Sequence, residues 1–375
     1  MRTLVISDLH LGARLRRDVL RHQPALDALL AALDDVDRLV LLGDVVELLE
    51  GRPRQMVEAA APVLRAVGAR LGPEREVVYV PGNHDAALIR PWLRAHGVPR
   101  TVDAPVPLDA TPLLAEVTSW LRPAAVRVHY PGVWLADGVW ATHGHYLDRH
   151  LLPESAFGIA RGALGRLPRD RAEPADYEVG PSMTRLEAFL TRWLPRPLAA
   201  LADDVAEGLR ALTMPAHARR LRGHLISPLT ALLLGRQMER ASIPALARVV
   251  HRLGVDAEHV IFGHVHRLGP LAWDDPARWQ SPGGRPRIAN TGAWVHEPLL
   301  VHHAEPPHPY WAGGAIVVED GAAPRAVGLL DHLDERAWPA AGTMRQLRAA
   351  RGARRRTRTG GGRRRWGARR EGPRS

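Results

Sequence analysis

Five short apolar runs in this chain each break off into a group of side chains that can hold a metal ion or move a proton. Thr3–Ser7 leads into Asp8-Leu9-His10, Arg38–Leu42 into Gly43-Asp44-Val45-Val46-Glu47, and Val77–Val80 into Pro81-Gly82-Asn83-His84-Asp85. Gly138–Thr142 leads into His143-Gly144-His145, and His259–Phe262 into Gly263-His264-Val265-His266. In Asp-x-His and His-x-His a spacing of two puts both side chains on the same side of an extended segment, so that they can converge on one ion. The chain has no cysteine, so any bound metal must be held by His, Asp, Glu or Asn. Asp8, His10, Asp44, Asn83, His143, His264 and His266 make such a set. Two divalent ions about 3.5–4 Å apart, bridged by one carboxylate, form the usual clamp for hydrolysis at phosphorus. Asp44, central in the order, is the natural bridge.

These groups need strands to place them. The β-branched and aromatic runs read as buried strands, and Pro81-Gly82 ends the third abruptly. Pro24–Asp35, with Leu26, Leu29, Leu30 and Leu33 at helical spacing, and Val57–Leu71 read as the helices between the first three. Strand, helix, strand implies parallel pairing with right-handed crossovers. In such α/β sheets ligands bind beyond the carboxyl ends of the strands. Pro91–Val133 reads as variable connections with one or two short elements. Arg287–Trp294 and Gly314–Val318 complete the strands, the second antiparallel and near an edge. The expected class is α/β, with layered β-sheets flanked by helices.

Residues 151–254 change character. Arg185–Leu194, Leu198–Leu212 and Leu229–Met238 show Leu, Ala and Val at helical spacing with Pro and Gly between, a helical insertion of roughly a hundred residues, in the size range of a small domain. A structural filler and a substrate-covering cap are both open readings. The expected organisation is a core of 1–150 and 255–335, the insertion at 151–254, and an Arg/Gly-rich tail at 336–375 with the composition of a disordered segment.

The net charge is +11, but residues 344–375 alone hold 13 Arg and one Glu, so the rest of the chain is at −1. There is no Lys, which points to a compositional preference for Arg. A globally basic binding surface is not supported. No run of about 18 uncharged apolar residues is present, so no membrane span is expected. Charge arrives too early after Met1 for the apolar region of a signal peptide, and a cytoplasmic location is expected.

The blocks D-x-H, G-D-x-x-E, G-N-H-D, H-G and G-H-x-H occur in that order, and the chain resembles the calcineurin-like metallophosphoesterase family over roughly residues 1–150 and 255–325. The resemblance implies that family's fold and two divalent ions, with Mn, Fe or Zn suited to the ligands. It implies one ion on Asp8, His10, Asp44 and His266, and a second on Asp44, Asn83, His143 and His264. His84 takes the place of the catalytic imidazole and Glu47 that of the carboxylate orienting it. The implied reaction is in-line attack on phosphorus by metal-bound hydroxide, cleaving a phosphodiester, phosphomonoester or nucleotide-linked diphosphate. His145, where the family often has Asp, and Arg267 are candidate substrate contacts, Asp85 a helix cap, and Asn290 structural support.

The UDP-2,3-diacylglucosamine hydrolase branch also carries a helical insertion between H-G and G-H-x-H. That branch tends to have Arg at His84 and Asp at His145, so a related but different small phosphorylated substrate is expected. A nuclease using the 344–375 tail is a second hydrolytic reading, although Trp366 is the tail's one aromatic. The tail could equally meet an anionic membrane surface. A non-catalytic scaffold of the same fold is a third reading, weakened because every ligand position is filled.

Overall fold

A computed structural model of the chain describes residues 1–13, 17–49, 53–150, 171–178, 235, 236, 238–301 and 304–334. All of the described residues fall in one compact unit. Most of the expected insertion, including Arg185–Leu194 and Leu198–Leu212, lies outside the described residues, as does the basic tail.

The expected strands form and sort into two sheets. The first has the order β12-β11-β1-β2-β3-β5-β4. Its centre is β1 (Arg2–Ile6), β2 (Arg38–Leu42), β3 (Glu76–Val80) and β5 (Ala125–Tyr130), all parallel. The edges are antiparallel: β4 (Ala104–Val106) on β5, and β11 (Gly314–Glu319) and β12 (Arg325–Gly328) beyond β1. The second sheet has the order β6-β7-β8-β10-β9. Here β7 (Val139–Thr142), β8 (His259–Phe262) and β10 (Arg287–Thr291) run parallel, flanked by antiparallel β6 (Gly132–Ala136) and β9 (Leu268–Gly269).

The apolar runs are unbroken because both faces of each sheet are covered. Along β2, Leu39 and Leu41 join the cluster under the helices while Val40 and Leu42 face the other sheet. Val139, Ala141, Ile261 and Ala289 meet Val5, Val40, Val78 and Ile316 in the layer between sheets. Each fully buried Val or Ile there contributes about 1.5–3 kcal/mol. Arg38 crosses this layer, donating from Nε to Thr3 Oγ1 at 3.1 Å and from Nη2 to the Leu135 carbonyl at 2.5 Å, which ties β2 to the second sheet.

Two sequence expectations change. Pro91–Val133 is not loosely connected chain: it forms the helices Arg90–His96 and Pro112–Ser119 and the strands β4 and β5. β5 has an alternating burial pattern at its end, which a search for continuous apolar runs passes over. The helix Ile243–Arg252, placed by its sequence within the insertion, packs Leu246, Val249 and Val250 with Val260 and Phe262 of β8 as the outer layer of the second sheet.

Candidate metal centre

Parallel pairing brings the carboxyl ends of β1, β2, β3, β7 and β8 to one edge. Backbone bonds stitch the turns there: Asp8 N–H to the Gly43 carbonyl at 3.0 Å, His10 N–H to Asp44 at 2.8 Å, and Gly263 N–H to His143 at 3.0 Å. The last of these follows from the β7–β8 pairing, and the first two from β1–β2. The packing is close enough that a Cβ on Gly82 would strike Asp44 Oδ1 and the His143 ring, so only glycine fits.

Among the described residues, five that are not glycine have left-handed backbone: Asp8 (φ 55°), His10 (43°), Asp44 (52°), His264 (68°) and His266 (57°). All five belong to the expected ligand set. Such conformations cost free energy and persist where the surroundings over-determine them, commonly at functional sites.

The donor atoms converge in groups that share residues. Those of Asp8, His10 and His266 lie within 4.8 Å of one another, as do those of Asp44, His143 and His264, and those of His10, Asp44 and His84. His266 Nε2 is 3.2 Å from Asp8 Oδ1, and His10 Nε2 is 3.9 Å from both Asp8 Oδ1 and Asp44 Oδ2. His143 Nε2 is 3.1 Å from Asp44 Oδ2 and 3.0 Å from Asn83 Oδ1. Asp44 thus stands in both halves, between a carboxylate–imidazole set and an amide–imidazole set.

This donor set fits divalent cations. Asp8 Oδ1 and His10 Nε2 are buried without a hydrogen-bond partner, and unpaired buried polar atoms are costly unless an ion completes them. His143 donates from Nδ1 to the Leu42 carbonyl at 3.0 Å, which turns Nε2 toward Asp44 and Asn83; there Nε2 carries a proton that a metal ion would replace. Burial pushes the Asp8 carboxyl up, but His266 and His143 outweigh it and hold it at about 2. Burial works against protonation of His143, yet Asp44 and Asp8 push that imidazole up to about 9. The carboxylates, in short, hold positive charge in place.

Glu47 lies on the turn after β2 and is 1% exposed. Its Oε2 meets His84 Nδ1 at 2.7 Å, the pairing expected, and also His10 Nδ1 at 2.9 Å. Burial pushes this carboxyl up, but the bonds to His10 and His84 hold it at about 2. One carboxylate therefore orients an imidazole of the expected ligand set and a neighbouring one, whose ring centroids are 4.6 Å apart. The second bond was not legible in the motif, because nothing in D-x-H shows which ring nitrogen faces inward.

His145 stands against His143, with ring centroids 5.6 Å apart, and its Nε2 is 3.8 Å from Glu178 Oε1. Glu178 ends the helix Pro174–Glu178 and accepts from the Tyr146 hydroxyl at 2.9 Å and from Tyr130. Burial pushes the Glu178 carboxyl up, but His145, Tyr130 and Tyr146 hold it at about 2. A carboxyl depressed in the fold contributes stability above its unfolded value of about 4.5, and loses it as pH falls through about 2. Glu178→Gln is expected to unfold more easily at pH 7 and to show a flatter decline in melting temperature between about pH 4.5 and 2; a decline as steep as wild type's would remove Glu178 from this role.

Arg267 is taken up by its own neighbours. Both terminal nitrogens bind Asp274, at 3.0 and 2.6 Å, and the guanidinium lies 5.0 Å from the Trp279 ring centroid. It is 5% exposed, a packing residue where a substrate contact was expected. Asp85 is also reassigned, since its side chain makes no cap bond to the short helix after it. It accepts from Gly82 N–H (2.6 Å), Val45 N–H (2.9 Å) and the Tyr79 hydroxyl (2.6 Å), pinning the turns that carry Asp44 and Asn83. Asp85→Ala leaves these buried donors unpaired at about 1–3 kcal/mol each. Urea unfolding is expected to show a loss of at least about 3 kcal/mol, and a loss below about 1 kcal/mol would mean that Asp85 pins nothing. Asn290 supports the β8 turn as expected, donating to the Gly263 carbonyl at 2.6 Å.

Residues 1–177 match the model of the family described as calcineurin-like phosphoesterase. Among solved structures the chain is similar to a dimetal phosphatase from Danio rerio, with 13% identity over 88% of this chain and 99% of that one and a TM-score of 0.33. It is similar too to a cold-active protein-tyrosine phosphatase of a psychrophilic Shewanella species, with 13% identity over 85% and 75% of the two chains and a TM-score of 0.28. Both likenesses are remote. No curated protein matches the chain.

Proposed function

We propose, for a chain whose first 177 residues match the model of the calcineurin-like phosphoesterase family, a dinuclear-metal hydrolase that cleaves a small phosphodiester or nucleotide-linked diphosphate. The observation that carries this is Asp44, whose donors converge with those of His143 and His264 on one side and with His10 on the other, where His10 also converges with Asp8 and His266, beside the Glu47–His84 pair. Asp8, His10, Asp44 and His266 would hold one ion; Asp44, Asn83, His143 and His264 would hold the other. Oxygen and imidazole donors suit Mn, Fe or Zn. When bound, such ions supply positive charge toward phosphoryl oxygens and make water a stronger acid.

The chain's own residues do the rest. Glu47 accepts from His84 Nδ1–H, which fixes the ring's tautomer and directs Nε2 to the substrate. There His84 stabilises charge developing on the phosphoryl group, or gives a proton to the leaving oxygen. The His84 backbone N–H donates to Asp44 Oδ1 at 2.7 Å, so imidazole and bridging carboxylate keep a set spacing. His145, set by Glu178 beside His143, is the second imidazole outside the ligand set and the proposed contact to the retained part of the substrate. Among the described residues no helix is long and apolar enough to cross a membrane.

The test is hydrolysis by metal-free protein reconstituted with Mn, offered bis(p-nitrophenyl) phosphate, p-nitrophenyl phosphate, UDP-sugar diphosphates and single-stranded DNA. Diester or diphosphate cleavage supports the reading. Preference for DNA would favour a nuclease, and no cleavage by protein shown to hold two metals would favour a scaffold.

A further inference from the structure

β7 ends at Thr142, and within three residues the chain enters a short 3-10 helix, His145–His150. A helix with three residues per turn stacks positions i and i+3 over one another. His145 and Asp148 therefore share a face, while the buried Leu147 and His150 share another. The buried Tyr146 and Leu147 pack with Leu246, Val249 and Val250 of the helix Ile243–Arg252. The short helix is thus held from behind, and Asp148 is placed against the turn after β8. Its Oδ1 lies 3.1 Å from His264 Nε2, across 116 positions of chain, with both side chains largely buried. No motif in the sequence carries Asp148.

Two of the other expected ligand imidazoles show what such an acceptor does. His10 has Nδ1 held by Glu47 and leaves Nε2 for the ion; His143 has Nδ1 held by the Leu42 carbonyl and leaves Nε2. In each an acceptor on one nitrogen sets the tautomer and the ring's rotation, so that the other nitrogen faces inward. His264 has its main chain fixed, with N–H donating to Asp8 Oδ2 at 2.9 Å. Its ring needs an acceptor as well, and Asp148 is placed to be one.

We propose that Asp148 is a positioning residue of the metal centre. By accepting from the Nε2–H of His264 it leaves Nδ1 as the donor to the ion shared with Asp44 and His143. This rests on the dinuclear reading above but not on the identity of the substrate. Glu47 and Asp148 then act on the two halves alike, one through His10 and the other through His264.

The test is titration of the metal-free full chain with Mn, followed by calorimetry and by the paramagnetic resonance of the ion pair. Asp148→Ala and Asp148→Ser are expected to weaken one of the two ions by about 10–100-fold, leave the other unchanged, and replace the coupled spectrum with that of isolated Mn. Asp148→Asn, whose amide oxygen still accepts from Nε2–H, is expected to restore most of the affinity. Adding Asp148→Ala to His264→Ala is expected to cost nothing further, since Asp148 acts only through that ring. Wild-type affinity for both ions in Asp148→Ala or Asp148→Ser would overturn the proposal. So would equal weakening of both ions together with a lower melting temperature of the metal-free variant, which is the result of a purely structural pair. A wild-type chain that takes up no second ion would overturn the dinuclear reading, and this inference with it.

Discussion

Asp44→Asn is expected to lower the rate of phosphodiester hydrolysis by about 10³-fold or more, because a bound metal pair supplies several kcal/mol to a charged transition state and each 1.36 kcal/mol is tenfold in rate. The substitution preserves shape. The amide oxygen can still accept from His84 N–H, as Asp44 Oδ1 does at 2.7 Å, so the turn after β3 keeps its place. What changes is the Oδ2 position, 3.1 Å from His143 Nε2 and 3.9 Å from His10 Nε2, where an NH₂ group now points donors at both halves of the centre. Elemental analysis is expected to find no more than one metal per chain. A variant that keeps two metals and the wild-type rate would show that the bridge lies elsewhere.

His84→Ala should separate catalysis from metal binding. His84 is assigned the proton or the developing charge and none of the ions, so kcat is expected to fall by about 10²–10⁴ while metal content stays at two. The geometry supports the separation, because Glu47 still holds His10 Nδ1 at 2.9 Å when His84 is gone. Glu47→Gln should not separate the two effects, since Glu47 Oε2 serves both rings. If instead His84→Ala loses a metal in step with its activity, His84 is a ligand, which its place within 4.8 Å of the His10 and Asp44 donors would allow.

The positions of these residues also explain why two sheets are needed. Asp8, His10, Asp44, Asn83 and His84 come from turns of the first sheet; His143, His264 and His266 come from the second. Neither sheet holds a complete set of donors. The apolar layer between them, with the Arg38 crosslink through it, is what keeps the two half-sites in register. Core substitutions at Val40 or Ile261 would therefore act on the site through spacing, with no contact to it.

By itself, the sequence determined the strands and the turns that carry the donor side chains, for a local reason. A strand covered on both faces must be apolar throughout, and a turn of two or three residues carries its donors at fixed spacing, so Asp8-Leu9-His10 or Gly263-His264-Val265-His266 is legible without any partner. Tertiary structure decided what depends on contact across the chain. It decided which nitrogen of His10 or His143 faces inward, because that is set by Glu47 and by the Leu42 carbonyl from other strands. It took Arg267 from the substrate and gave it to Asp274, and turned Asp85 from a cap into a pin for two turns. It brought Asp148 to His264 and Glu178 to His145, pairs with no periodicity or motif to announce them. A side chain's residue type states what it can bind; only the folded chain, by placing an acceptor on one side of an imidazole, decides what the other side is left to do.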